Sequence, residues 1–368
     1  MKEKKIRLDR DHRERTVPEQ VLYEKILGCL AMVAIGDALG MPAHDMTQEE
    51  IKNRFGKPIS SFMAPFKDSR VHKALQAGQV TDDTRLTLAM AKAYIENDGK
   101  ITPQLITETI ASAVNEAFQE GLETLFGLST KAALNAFNSG QDPIKTGLLE
   151  RSPRVGTTNG GAMRISPVGL IHPGDLRSAV RDAAAACLAT HGTQAGISAA
   201  CAIAGGVAEA VMPQATVFSI VKAALSCAEE GEILGKKIAR TVPVPSVPLR
   251  IRLAITLALE SRTTEGAGKQ FSEIIGTGLP AYESIPTAIG IFLSCEGDPV
   301  ECVKMGANIG NDTDTIASMA GALAGAFKGV THVPDKWVQK IEKVNRLYLA
   351  ETAGQLTGIA WRNLNHEK

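Results

Sequence analysis

The sequence has few aromatic residues and no excess of charge of either sign. Only 4% of its 368 residues are Phe, Trp or Tyr, and 40 basic residues balance 40 acidic ones. Proteins that bind single-stranded nucleic acid stack bases on aromatic side chains, and proteins that bind polyanions carry a basic surface. The composition therefore predicts that the protein has no nucleic-acid partner.

Cysteine is also scarce, and its spacing does not match a metal-binding or redox motif. No two of the six cysteines form a CxxC pair, and most lie in alanine-rich segments, at Cys29, Cys187, Cys201, Cys227, Cys295 and Cys302. This pattern is typical of small buried thiols in a reducing cytoplasm, and it argues against a disulfide framework or a zinc site. We therefore expect a cytoplasmic protein.

From the sequence we expect neither a signal peptide in the first residues nor a membrane-spanning segment. The first 16 residues, MKEKKIRLDRDHRERT, are charged throughout and no apolar core follows them. The most apolar stretch, GISAACAIAGGVAEAVM, is rich in Ala and Gly and contains Glu209, which favours a buried helix. We expect residues 1–18 to form a charged arm, residues 19–368 to form one domain, and no membrane to be a partner.

Strand-like alternation of β-branched residues is scarce, whereas helix start signals recur along the chain. Thr47 with Glu50 forms a capping box, and Thr102 stands before Pro103, a proline at the first position of a predicted helix. Helical patterns of similar composition continue from end to end. The sequence therefore predicts an all-α fold, a single compact multi-helix domain.

Two short acidic clusters, more than two hundred residues apart, stand at predicted helix starts. The first reads TDDT at residues 81–84 and the second reads DTDT at residues 312–315. Asp and Thr are common helix caps, so capping is the simpler interpretation of either cluster taken alone. One side chain is enough to cap a helix, however, and neighbouring carboxylates repel each other unless a positive charge lies between them. Together the clusters offer hard oxygen ligands that suit Mg²⁺, Mn²⁺ or Ca²⁺.

The segment GTTNGGAMRISPVGL contains further candidate ligand-binding residues. Gly160 and Gly161 allow a ligand to approach the main chain. Asn159 and Arg164 carry groups that hydrogen-bond a polyol or a phosphate. A loop with a structural Asn and a salt-bridged Arg explains the same residues equally well, so both interpretations stay open at this point.

A third segment, ILGCLAMVAIGDALGMPAHDMT, leads from a helix of small residues into polar ones. Asp37 near a helix C-terminus is unfavourable with respect to the helix dipole, so it requires a basic partner or a buried hydrogen-bond network. His44 and Asp45 follow in a predicted loop. A single histidine in a loop is usually a surface or packing residue, although it titrates near neutral pH.

Taken together, these motifs resemble those of the ADP-ribosylglycohydrolase family, which includes dinitrogenase-reductase-activating glycohydrolase and the ADP-ribosyl-acceptor hydrolases. The resemblance spans about residues 21–330 and is carried, in the family's order, by GCLAMVAIGDALGMP, VTDDTRLT, NGGAMRISPVGL, THGTQAGISAA and NIGNDTDTIASMAGALAGA. It implies an all-α fold with a binuclear Mg²⁺ or Mn²⁺ centre at helix N-termini. The family's metal ligands fall on Thr81, Asp82, Asp83, Asp312, Asp314 and Thr315.

The same resemblance implies the reaction and its other residues. The expected activity is hydrolysis of a ribosyl or ADP-ribosyl glycosidic bond by water, on a small-molecule or ADP-ribosylated substrate. The base that accepts the proton of this water is expected among Asp83, Asp82 and Asp45, with Asp83 preferred over Asp82. The expected substrate-binding residues are Asp37, His44, Asn159, Gly160, Gly161 and Arg164. No feature of the sequence predicts the oligomeric state.

Two positions depart from the family's pattern. Many relatives have a glutamate where His44 stands, and Asn311 replaces a commoner glycine just before Asp312. The first change leaves three alternatives open. Asp45 substitutes for the glutamate, or His44 suits a different leaving group such as that of a small N-riboside or nucleoside, or the site binds ADP-ribose without hydrolysis.

Overall fold

The computed structural model describes residues 17–142, 145 and 155–366, and these residues form a helical protein around one hydrophobic core. Within the described ranges no residue belongs to a β-strand, and only isolated bridges occur, such as that between Met46 and Asn311. The prediction of an all-α fold is therefore confirmed. Residues 1–16 lie outside the described residues, so the charged arm stays a prediction.

Within the described residues the helices follow one another mostly through short connections, with a longer one at residues 56–81. The first five are α1 (Glu19–Gly40), α2 (Gln48–Phe55), α3 (Asp82–Glu96), α4 (Pro103–Gln119) and α5 (Leu128–Asn138). The next five are α6 (Ser166–Leu170), α7 (Leu176–His191), α8 (Gln194–Ala210), α9 (Val217–Ile238) and α10 (Val247–Glu260). The last six are α11 (Thr264–Gln270), which a π-helical turn extends, α12 (Ala281–Ser294), α13 (Pro299–Ala307), α14 (Thr313–Lys328), α15 (Asp335–Asn345) and α16 (Leu349–His366).

Local capping signals set several of these helix starts. Thr47 and Glu50 form both reciprocal hydrogen bonds of a capping box at the start of α2. Thr102 Oγ1 accepts a hydrogen bond of 3.2 Å from Leu105 N, just before the proline that opens α4. Both predicted starts are confirmed. A cap of this kind contributes about 1 kcal/mol, which is enough to fix a helix boundary but not to decide how helices pack.

Helices α1 and α14 touch backbone to backbone at the centre of the core. A Cβ atom built on Gly36 would lie 2.4 Å from the carbonyl oxygen of Ala317, and one built on Gly40 would lie 2.3 Å from that of Thr313. Thr313 Oγ1 donates a hydrogen bond of 2.8 Å to the Gly40 carbonyl oxygen. The small residues therefore let the N-terminus of α14 lie directly beside the C-terminal end of α1.

Helix α1 is long and largely apolar, and most of its residues are buried. The stretch Glu19–Ala43 is long and apolar enough to cross a membrane, judged by length and composition, but 94% of its most apolar window is buried inside the fold. A helix that is hydrophobic on all sides is typical of the centre of a large protein. Helix α8, which contains the stretch singled out in the sequence, is likewise buried in the core. All six cysteines are buried free thiols, as expected.

Candidate functional site

The two acidic clusters lie together at the N-termini of α3 and α14. Thr81 is the N-cap of α3, and its Oγ1 accepts a hydrogen bond of 3.3 Å from Asp83 N. Asp312 holds the N-cap position of α14, but its carboxylate makes no capping hydrogen bond. Thr315 Oγ1 donates to Asp83 Oδ2 over 3.2 Å and so joins the two clusters. Capping explains Thr81 but leaves the carboxylates at 312 and 314 without a role in the helix.

The carboxylates of these clusters are buried close to one another. Burial, followed by the charges of neighbouring carboxylates, raises the pKa of Asp82 and of Asp83 well above the usual range. Burial and the charge of Asp314 raise the pKa of Asp312 to about 7. Among the described residues, Oδ1 of Asp83 and Oδ1 of Asp312 have no hydrogen-bond partner. Unpaired buried carboxylate oxygens of this kind favour a bound cation.

Asp37 differs from these carboxylates, because its oxygens accept several hydrogen bonds. Its carboxylate accepts a bond of 2.9 Å from Thr81 N and bonds of 3.2 and 2.5 Å from N and Oγ1 of Thr84. Burial raises the pKa of Asp37 to about 7, although the Thr84 hydrogen bond opposes this shift. These contacts form the buried hydrogen-bond network that the sequence predicted for Asp37. They also hold the start of α3 against the end of α1.

Two imidazole rings lie against the carboxylate of Asp314. His44 Nδ1 lies 2.8 Å from Asp314 Oδ1 and 3.6 Å from Asp312 Oδ1, and His72 Nε2 lies 3.3 Å from Asp314 Oδ2. Burial lowers the pKa of His44, but the charge of Asp314 outweighs it and the pKa rises to about 10. In turn, the charge of His44 overcomes the burial of Asp314 and holds the pKa of that carboxylate below its usual range. Burial lowers the pKa of His72.

His72 was not among the residues predicted from the sequence. It lies in the connection between α2 and α3, where its Nδ1 is 3.1 Å from the Met41 carbonyl oxygen. The candidate ligand atoms of His44, His72 and Asp314 all lie within 4.8 Å of one another. No local pattern around His72 marks it, since only the folded connection brings it to the acidic clusters.

Asp45 lies at the exposed rim of the site. Its side chain is 54% exposed, and its Oδ1 is 3.7 Å from His44 Nε2. Its backbone has a positive φ of 66°, as does that of Asn311 with 62°, and Asp45 N donates to the Asn311 carbonyl oxygen over 2.9 Å. Asn tolerates this left-handed conformation better than most residues other than glycine, which explains why Asn311 is a mild departure.

The glycine-rich segment approaches the clusters through Asn159. Its Nδ2 donates to Asp312 Oδ2 over 2.5 Å, so the structure places Asn159 beside the acidic set. Arg164 is fully buried and donates to the Gly160 carbonyl oxygen and, over 2.6 Å, to Thr190 Oγ1. Arg164 therefore binds its own loop to helix α7.

The two glycines of this segment pack tightly against helix α7. A Cβ on Gly160 would lie 2.9 Å from Cε1 of His191, and one on Gly161 would lie 2.6 Å from Cys187 Sγ. The ring of His191 lies between Thr158 Oγ1, at 2.9 Å from Nε2, and Thr190 Oγ1, at 2.7 Å from Nδ1. Close packing thus accounts for both glycines, whether or not a ligand also approaches them.

The chain and its helical fold match a known family of proteins. A family profile described as ADP-ribosylglycohydrolase matches residues 18–364. The chain therefore belongs to the ADP-ribosylglycohydrolase family, which confirms the resemblance carried by its motifs.

Individual relatives resemble the chain over most of its length. It is 33% identical to the uncharacterized protein YegU of Escherichia coli (strain K12), in a match that covers 88% of this chain and 93% of that protein. It is 26% identical to the ADP-ribosylhydrolase ARH3 of Homo sapiens, covering 86% and 88% of the two chains. A solved structure, an ADP-ribosylglycohydrolase-related protein complex, matches with a TM-score of 0.63 at 21% identity and covers 94% of this chain and 99% of that one. The structural match supports the shared fold.

Proposed function

We propose that the protein hydrolyses ribosyl or ADP-ribosyl glycosidic bonds with the help of two divalent cations, Mg²⁺ or Mn²⁺. The observation that carries this proposal is the meeting of two helix N-termini around buried, mutually repelling carboxylates, of which two oxygens have no partner. Membership of the ADP-ribosylglycohydrolase family supports a glycoside hydrolase. The name of the human relative, an ADP-ribosylhydrolase, supports an ADP-ribosylated substrate.

The cations would be held by oxygen ligands on both helix starts, namely Thr81, Asp82, Asp83, Asp312, Asp314 and Thr315. Divalent cations bound to such ligands orient substrate hydroxyls and acidify a water molecule. Their charge would also offset the repulsion that raises the pKa values of Asp82, Asp83 and Asp312. These carboxylates would then be ionised at neutral pH, as both ligation and base catalysis require.

Asp83 is our candidate for the general base. Hydroxyl groups of Thr81 and Thr315 hold its Oδ2 at 3.1 and 3.2 Å, whereas its Oδ1 has no hydrogen-bond partner. A carboxylate that is held by one oxygen and open at the other is suited to accept a proton from water. Asp82, which is partly exposed, is the second candidate.

The reaction then balances with water as the co-reactant. The water oxygen forms a bond to ribose C1, and the bond from C1 to the leaving group breaks with its electron pair on the leaving group. The carboxylate of Asp83 takes the proton of the water and returns it to the leaving group. Asn159 acts as a positioning residue, because its amide orients Asp312 rather than contacting the reacting atoms.

The test is hydrolysis of ADP-ribosyl-arginine and O-acetyl-ADP-ribose by the purified protein, with Mg²⁺, with Mn²⁺ and with EDTA. We expect release of ADP-ribose that EDTA abolishes. A nucleoside panel run beside it separates the substrate classes. Release of ribose from nucleosides, with no release of ADP-ribose, would show that the substrate is a nucleoside and not an ADP-ribosylated compound. Hydrolysis of neither class would refute the proposal.

A matched pair of variants tests the site itself. Asp314→Asn should lower the rate by about 100-fold or more, because loss of a ligand charge removes several kcal/mol of stabilisation. Asp182→Asn is the control, since it also removes a carboxylate paired with a histidine, His172, at 2.7 Å, but lies outside the site. Equal activity of the two variants would exclude Asp314 from the site.

A further inference from the structure

We propose that the centre of this protein binds a transition-metal ion through two imidazole nitrogens, those of His44 and His72, together with the carboxylate of Asp314. This site adds nitrogen ligands to the all-oxygen set described above. It rests on the geometry around the two histidines and stands whether or not the proposed hydrolysis is correct.

The hydrogen bond of His72 determines which of its nitrogens is available. Its Nδ1 lies 3.1 Å from the Met41 carbonyl oxygen, which can only accept, so Nδ1 carries the proton. In the neutral ring, Nε2 therefore carries a lone pair, and this nitrogen lies 3.3 Å from Asp314 Oδ2. Two electron-rich atoms then face each other in a buried space. Histidines that bind metals commonly donate their other N–H to a backbone carbonyl in this way.

The ring of His44 lies beside that of His72. The two rings are in an edge-to-face arrangement with their centroids 4.7 Å apart, and both approach the carboxylate of Asp314. Three electron-rich groups therefore converge on one buried point, and a divalent cation bound there by His72 Nε2 and Asp314 would offset their mutual repulsion.

A carboxylate oxygen of Asp312 without a hydrogen-bond partner also lies beside His44. Oδ1 of Asp312, a residue that is 1% exposed, has no hydrogen-bond partner and lies 3.6 Å from His44 Nδ1. The three candidate ligand atoms of His44, His72 and Asp314 lie within 4.8 Å of one another. Ligands at about 2.1 Å from a metal are up to about 4.2 Å apart, so small side-chain movements suffice to bring all three onto one ion.

The ligand types predict which ions are preferred. Mg²⁺ favours oxygen ligands and water, whereas imidazole suits later first-row transition metals such as Fe²⁺, Ni²⁺ and Zn²⁺, and the affinity of a nitrogen and oxygen site rises from Mn²⁺ to Co²⁺. A histidine at position 44, where many relatives have a glutamate, therefore changes the metal preference of the centre. We expect Co²⁺ to bind the EDTA-treated protein at least tenfold more tightly than Mg²⁺.

The direct test is pulsed electron paramagnetic resonance of the full-length protein loaded with Mn²⁺. Imidazole nitrogen bound to Mn²⁺ modulates the electron spin echo, and this signal does not depend on activity or on any variant. We expect nitrogen modulation in the unmodified protein. Bound Mn²⁺ without nitrogen modulation, or no binding of Mn²⁺ or Co²⁺ by calorimetry, would overturn the inference.

Variants then identify the nitrogen ligands. His72→Gln should weaken Mn²⁺ binding by about tenfold or more, whereas His172→Gln, which removes a histidine outside the site, should leave it unchanged. His44→Glu restores an oxygen ligand and should shift preference toward Mg²⁺. Equal Mn²⁺ affinity in His72→Gln and His172→Gln would contradict the assignment. Nitrogen modulation without hydrolysis of any riboside would leave this inference standing and remove the proposed reaction instead.

Discussion

Replacing Gly36 with alanine should force apart the two helices that carry the acidic site. The new Cβ would lie 2.4 Å from the Ala317 carbonyl oxygen and 2.6 Å from its carbonyl carbon. Non-bonded carbon contacts are normally about 3.5–4.0 Å, so α1 and α14 must separate by about 1 Å at this point. Both contacted atoms belong to the backbone, and no side-chain rotation relieves the overlap.

The expected loss of stability follows from two opposing effects. Overpacking typically costs about 1–3 kcal/mol, and the rigid backbone on both sides places Gly36 at the upper end. Alanine in a helix is favoured over glycine by about 1 kcal/mol. The net loss is therefore about 2 kcal/mol. Gly354→Ala is the matched control, because this glycine is exposed within α16 and a Cβ there meets no atom within 4 Å.

The assay is thermal and urea unfolding of both variants, followed by far-ultraviolet circular dichroism. Gly354→Ala should gain up to about 1 kcal/mol from the same helical preference, so the two substitutions should shift the unfolding midpoint in opposite directions. An unfolding midpoint for Gly36→Ala equal to or above that of the unmodified protein would refute the backbone contact between α1 and α14.

Two further predictions concern cations and pH. Adding Mn²⁺ at about 100 times its Kd to EDTA-treated protein should stabilise it by about 2.7 kcal/mol, seen as a rise in the thermal midpoint, and Asp314→Asn should show a much smaller rise. Burial, with the charge of Arg164, holds the pKa of His191 well below 6.5. The unfolded chain therefore binds more protons than the folded one below about pH 6.5, so this contribution to stability is present above that pH and is lost as the pH falls. His191→Gln should flatten the dependence of urea unfolding on pH below 6.5, and an unchanged slope would show that His191 does not cause it.

The local features of the fold could be predicted from the sequence because short-range signals determine them. The capping box of Thr47 and Glu50 and the cap at Thr102 need only neighbouring residues to form. Likewise, the positions of the two acidic clusters at helix starts follow from Asp and Thr in the first turn. The order of the motifs then indicated the family, because several short segments occur along the chain in the same order as in the family.

The contacts within the candidate site depended on long-range packing and could not be predicted in the same way. His72 reaches Asp314 across more than two hundred residues, and nothing near it in the sequence signals a ligand. Asn159 proved to be a partner of Asp312, whereas Arg164 is engaged with its own loop and Thr190. Residue types suggested what each side chain is able to bind, but only the folded chain determines which groups remain available.

The close contact between α1 and α14 also has a consequence for biosynthesis. Gly40 and Thr313, which are hydrogen-bonded in the finished protein, are 273 residues apart in the chain. At about 5–20 residues per second, a ribosome needs tens of seconds to add the second helix after the first. Throughout that interval a newly made helix with the composition of a membrane span lacks α14, the helix that covers its glycine-lined face. Chaperones, or temporary contacts with helices made after α1, must therefore cover this face until translation is almost complete.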